Sequence, residues 1–153
     1  MSQLDPLKSF AELTTGKRVD RDAGAMTISG VATPLFTIAG GRVIVKQIIG
    51  QITVAASGAT NLSLQSNPTT GTTAAMCTVL AIGALEAQTL VSITGAVGDA
   101  MYGVSAALTQ AMTRDMVLPI GAIEALNSAA ETVTVKWSVI YVPLDDGAYI
   151  EAI

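Results

Sequence analysis

The sequence predicts an all-β domain, an antiparallel β-sandwich or jelly-roll-like barrel, with an extended N-terminal arm ahead of it. Three observations predict this. From residue 26 onward, short runs rich in Val, Ile and Thr alternate with clusters of Gly, Pro, Asn and Ser, as strands alternate with turns. Val133, Val135, Trp137, Val139 and Tyr141 share one parity, while Thr132, Thr134, Lys136 and Ser138 share the other. That is the period of a half-buried antiparallel strand. The 14 glycines and the many threonines also favour strands and turns over helix.

The arm is assigned to residues 1–25 and the β-domain to residues 26–153. Residues 1–22 hold Asp5, Lys8, Glu12, Lys17, Arg18, Asp20, Arg21 and Asp22, and the other 131 residues carry only twelve charges. The segment has weak apolar periodicity and contains Pro6 and Gly16. Two readings stand: an arm with a partner, carrying a short helix near residues 7–13, or a frayed terminus.

Candidate strands follow at 26–33, 34–39, 42–56, 60–66, 74–82, 86–94, 101–108, 115–119, 120–127 and 131–143. Gly40 and Gly41, between Ile38 and Val43, suit a tight hairpin because glycine tolerates positive φ. The 42–56 strand changes phase: Val43 and Val45 are odd, whereas Ile48, Ile52 and Val54 are even. An extra residue near Lys46 and Gln47 brings both sets onto one face, which predicts a β-bulge there or a break at Gly50. A strand buried on both faces is the alternative. Residues 67–71 contain Pro68 and Gly71 and read as a loop. Residues 84–91 and 104–112 are ambiguous and admit helical turns. In the strand at 131–143, Trp137 and Tyr141 are the expected core anchors. Asp145, Asp146 and Gly147 read as a turn.

Composition excludes several classes. Half of the residues are hydrophobic and 13% are charged, against about 25% charged in an ordinary soluble domain. A disordered chain has the opposite balance. A net charge of −4 argues against nucleic-acid binding, which draws on many Lys and Arg contacts to phosphate. The longest apolar stretch, residues 74–85, falls short of the roughly 20 residues of a membrane helix, and scattered aromatics give no girdle for a membrane barrel. No signal peptide is expected at residues 1–15, so synthesis in the cytoplasm is.

Chemistry is sparse. There is no histidine, which removes His-based nucleophile systems and His-ligated metals. The single cysteine, Cys77, sits in an apolar run and reads as a buried, inert thiol. An enzyme would require a cluster among Glu86, Asp99, Asp115 and Glu124. No enzymatic activity, cofactor or metal is expected. A carbohydrate-binding module would need an exposed aromatic platform at Trp137 or Tyr149.

Within residues 121–153, Gly121, Ile123, Lys136, Trp137, Tyr141, Val142, Pro143, Leu144, Asp145, Asp146 and Gly147 form a pattern that resembles the C-terminal part of small tailed-bacteriophage head structural proteins. Residues 77–95 are similar more loosely. The resemblance implies a virion protein synthesised in the host cytoplasm, foremost a capsid decoration (cement) protein on the outer lattice. It would bind the major capsid protein and itself, as a homotrimer, and stabilise the head, with no nucleic acid or membrane partner. Head–tail joining and tail roles lie within the same resemblance. In such a protein Lys17, Arg18, Asp20, Arg21 and Asp22 are the expected capsid-docking contacts, extended by residues 26–36. Pro143 would end the strand, and residues 149–153 would form a last short one.

Overall fold

A computed structural model describes residues 15–26, 31–104, 111–129 and 131–153. The twelve elements they contain are all strands, in two antiparallel sheets packed face to face as a β-sandwich. The predicted helix near 7–13, and parts of the strands predicted at 26–33 and 101–108, lie outside the described residues.

The first sheet is built around β11 (Val133–Pro143), flanked by β1 (Lys17–Met26) and β3 (Val43–Val54). The far side of β3 serves two partners end to end. Its first residues pair with β9 (Met116–Leu118), and Ile49, Gly50 and Gln51 pair with β7 (Leu90–Ser92), which in turn pairs with β8 (Tyr102–Gly103). The second sheet runs β12 (Tyr149–Ala152), β2 (Thr33–Ala39), β10 (Gly121–Asn127), β4 (Asn61–Pro68), with β5 (Ala74–Ala75) and β6 (Leu80–Ala81) both on β4.

The alternation in β11 is realised in full. Val133, Val135, Trp137, Val139 and Tyr141 are buried between the sheets. They meet Phe36, Ile38, Leu62, Leu64 and Ile123 of the opposite sheet within one hydrophobic core. The phase change in β3 is a bulge. Ile140 faces Gln47 but Tyr141 faces Val45, which leaves Lys46 as the extra residue. Val43, Val45, Ile48, Gly50 and Ile52 are then all buried. Gly50 is no break; it pairs with Trp137. A second irregularity near Thr53 separates Ile52 from Val54, and Val54 is exposed.

Several expectations are corrected. Gly40 and Gly41 do have positive φ, at 75° and 152°, but they make no hairpin. The strands they join, β2 and β3, belong to different sheets, so the turn carries the chain across the sandwich. A Cβ at Gly40 would run into the Gly147 carbonyl. Residues 17–25, assigned to the arm with no strand expected, form β1 together with Met26. The strand predicted at 74–82 is two short pieces around the buried Met76 and Cys77, and the one at 86–94 shrinks to β7. Residues 84–89 carry turns rather than helix. Asn67 and Pro68, read as loop, end β4 as partners of β10.

Packing at the centre of the first sheet is tight. A methyl group on Gly50 would sit 2.8 Å from both Trp137 Cζ3 and Val91 Cγ2. Trp137→Ala is expected to cost about 3–5 kcal/mol by urea denaturation, and Gly50→Val about 1–3 kcal/mol through overpacking. Because the two side chains contend for one space, the double variant should be less destabilised than the sum of the singles. Strict additivity would show that they do not share that space.

Candidate interaction surface

The five residues expected to dock occupy β1, whose register on β11 sorts them by face. Arg18 and Asp20 lie opposite Ile140 and Ser138, on the outer face of the first sheet. There the Arg18 Nε donates to Asp20 Oδ1 at 2.8 Å and the Ser138 hydroxyl donates to the same oxygen at 2.6 Å. The Ser138 hydrogen bond, then that from Arg18, holds the Asp20 carboxyl below its ordinary range. Lys17 and Arg21 lie opposite Tyr141 and Trp137, on the side of the seam between the sheets. Across that seam Arg21 Nε donates to the Ile153 carbonyl oxygen at 3.1 Å. Asp22 sits, exposed, in a bulge between Arg21 and Gly24. The structure therefore divides the five between an outer face, a seam and a bulge.

Among the described side chains of this segment, only Val19 packs against the core. Mixed charges and a bulge on the outermost strand of a sheet are also what keeps such an edge from pairing indiscriminately.

The C-terminal pattern comes to the same corner. After Pro143 the chain turns through Asp145, Asp146 and Gly147, with Gly147 at φ 80°. Asp145 is clamped by Arg42: its carboxylate accepts Arg42 Nε at 2.9 Å, Nη2 at 2.7 Å and the Arg42 backbone N–H at 2.7 Å. These hydrogen bonds bring the Asp145 pKa down from 3.8 to about 2. The clasp ties the Gly40–Gly41 crossing to the turn that launches β12. Lys17 and the residues from Pro143 to Tyr149 together line an open cleft of about 480 Å³. Leu144 and Tyr149 stand on its rim, 44% and 45% exposed.

Trp137 and Tyr141 lie in the core, 0% and 3% exposed. A sugar platform is therefore left with Tyr149 of the two rings considered. The carboxylates an enzyme would have to gather are dispersed. Asp115 pairs with Lys46 at 2.6 Å, and Asp99 accepts from the Thr94 hydroxyl. Glu124, 6% exposed, accepts from Gln65 Nε2 at 2.6 Å and Asn67 Nδ2 at 2.9 Å. Glu86 is exposed. Among the described residues no three His, Cys, Asp or Glu side chains come together as a metal site. Cys77 is buried, and burial raises its thiol pKa while Leu64 N–H approaches its sulfur at 3.4 Å.

No family model, curated protein or solved structure matches the chain.

The clasp and the exposed rim are the features that sequence reasoning missed. Arg42 and Asp145 are 103 residues apart, and no local pattern links them. Asp145 titrates lower folded than unfolded, so its contribution is complete above about pH 4 and lost as the pH falls through about 2. Asp145→Asn is expected to lower the thermal midpoint at pH 7 and to flatten the parent's loss of stability between pH 4 and 2. Superimposable midpoint-versus-pH curves for the two proteins would show that the clasp does not stabilise the fold.

Proposed function

We propose that this chain is a structural protein of a tailed-phage virion, a capsid decoration (cement) protein that acts by binding the outer capsid lattice and stabilising the head. One observation carries the reading. The charged N-terminal strand and the C-terminal pattern on which the phage resemblance rests meet at one corner of the sandwich, where Lys17 and the residues from Pro143 to Tyr149 line a common cleft.

The chemistry of the corner suits a protein surface. Leu144 offers apolar area, Asp146 is exposed, and Arg18 and Asp20 lie on the adjoining outer face of β1. Mixed charge beside apolar area gives orientation and partner choice as well as adhesion. The rest of the domain fits a role in bracing a shell. It is stiffened by two multi-stranded sheets and a continuous core, and it presents a surface poor in charge, as proteins that work packed against others do. The partner is the major capsid protein, and the role needs no cofactor.

The test is co-sedimentation with expanded empty capsids built from the cognate major capsid protein. The purified chain should pellet with them and raise the temperature at which they disassemble. The double variant Lys17→Glu, Arg18→Glu should weaken binding roughly tenfold or more at low salt and less at high salt, as screening predicts for exposed charges. Leu144→Asp should weaken it at any salt. No binding by the parent chain at high concentration would remove the proposal.

A further inference from the structure

Among the described residues the sandwich is not closed, and its sheet edges are unequally protected. β1 carries five charged residues and a bulge. β5, β6 and β8 are only two residues long. β12 differs: Tyr149–Ala152 pairs with β2 in unbroken register, has no bulge and holds one charge, Glu151. Its other side has no strand partner among the described residues. Tyr149, Glu151, Ala152 and Ile153 are all exposed. Regular, weakly charged edges are the ones that accept another strand.

The ladder fixes which backbone groups are on offer. Ile153 N–H bonds the Leu35 carbonyl at 3.1 Å, so 153 and 35 are a hydrogen-bonded pair. Such pairs alternate along an antiparallel ladder. Tyr149 and Glu151 therefore turn their N–H and C=O groups toward β2, as Ile153 does its N–H, while Ile150 and Ala152 turn theirs to the free edge. The side chains follow the register. Ile150, opposite Ile38, faces the core, and Tyr149 and Glu151, opposite Ala39 and Thr37, face outward.

We infer that β12 is a self-pairing edge: two copies of this chain join through antiparallel β12 strands about a two-fold axis at Ile150. In that register Ile150 of one copy faces Ile150 of the other, and their N–H and C=O groups bond reciprocally. Ala152 faces Ala148 beyond them. On the outer face Tyr149 of each copy stands beside Glu151 of the other, giving each carboxylate a phenolic donor. Moving the axis by one residue to Glu151 would set two carboxylates directly opposite each other, which is unfavourable. Charge therefore selects the Ile150 axis. A single patch that complements itself is what an isologous dimer needs, and the second sheets of the two copies then become one. This inference does not depend on the virion reading, and it is measured without capsids.

The test is the mass of the full chain by light scattering or sedimentation velocity across a concentration series. It should rise from 15.6 kDa to twice that value. Ala152→Pro removes a free-edge N–H but no hydrogen bond to β2, and Tyr149→Glu places a carboxylate beside Glu151 of the other copy. Each should raise the dimer dissociation constant roughly tenfold or more, with β circular dichroism and the thermal midpoint retained. Adding Glu151→Lys to Tyr149→Glu should restore dimerisation. If Ala152→Pro loses the β signature, the charge-swap series decides alone. A monomer at every concentration, the mass of a trimer, a dimer indifferent to the variants, or a charge swap that fails to restore it would each overturn the inference.

Discussion

The indole of Trp137 occupies space that position 50 leaves open only by being glycine, and the arrangement of the first sheet follows from that contact. A Cβ on Gly50 would lie 2.8 Å from the ring and equally close to Val91, so β11, β3 and β7 meet at one point of closest approach. With Trp137 held there, the buried parity of β11 is fixed, and every strand paired to it must bring its own apolar residues to the same side. The indole N–H has no acceptor among the described residues. The ring, fully buried, is there for its volume.

The bulges are the consequence. β3 is twelve residues long, and a strict two-residue period cannot place both Val45 and Ile48 inside. Placing Lys46 as an extra residue resolves the conflict and leaves its ammonium free to reach Asp115 at 2.6 Å. The same bulge separates the partners on the far side of β3, where Gln47 fills the gap by accepting the Met112 backbone N–H at 2.7 Å. On the other flank, β1 meets β11 with a bulge at Asp22 and Ala23, and on the second sheet Leu35 is the extra residue beside Pro34, which has no N–H to offer a ladder. The bulges at Lys46 and Leu35 keep Val45, Ile48, Phe36 and Ile38 turned inward.

Much of this was legible in the sequence because it is local. The parity of residues 132–141 needed no partner to be read, and the phase change in β3 located its bulge to within a residue. The turn at Asp145, Asp146 and Gly147 and the buried Cys77 were equally readable from neighbours in the chain. What was hidden depends on contacts across the fold. Among the described side chains of β1 Val19 is the one that packs against the core, so little in its own pattern announces a strand. Its strand character comes from β11. Gly40 and Gly41 look like a hairpin turn because positive φ is all the local sequence encodes, and only the other sheet shows that the chain crosses. For the interaction surface, the charge run was visible, but its division between face, seam and bulge required the register.

The Arg42–Asp145 clasp sets the terms on which any partner meets this corner. It fixes the crossing from β2 to β3 at one end and the exit from β11 at the other, so the cleft beside Lys17 and the path into β12 are positioned together. An exposed ion pair ordinarily contributes little to stability. Three hydrogen bonds to one carboxylate, one of them from a backbone N–H, instead give a specific geometry. That geometry aims Leu144 outward and starts β12 in register with β2. The outward Leu144 and the open strand edge are thus two outputs of one turn, and loosening it must disturb both.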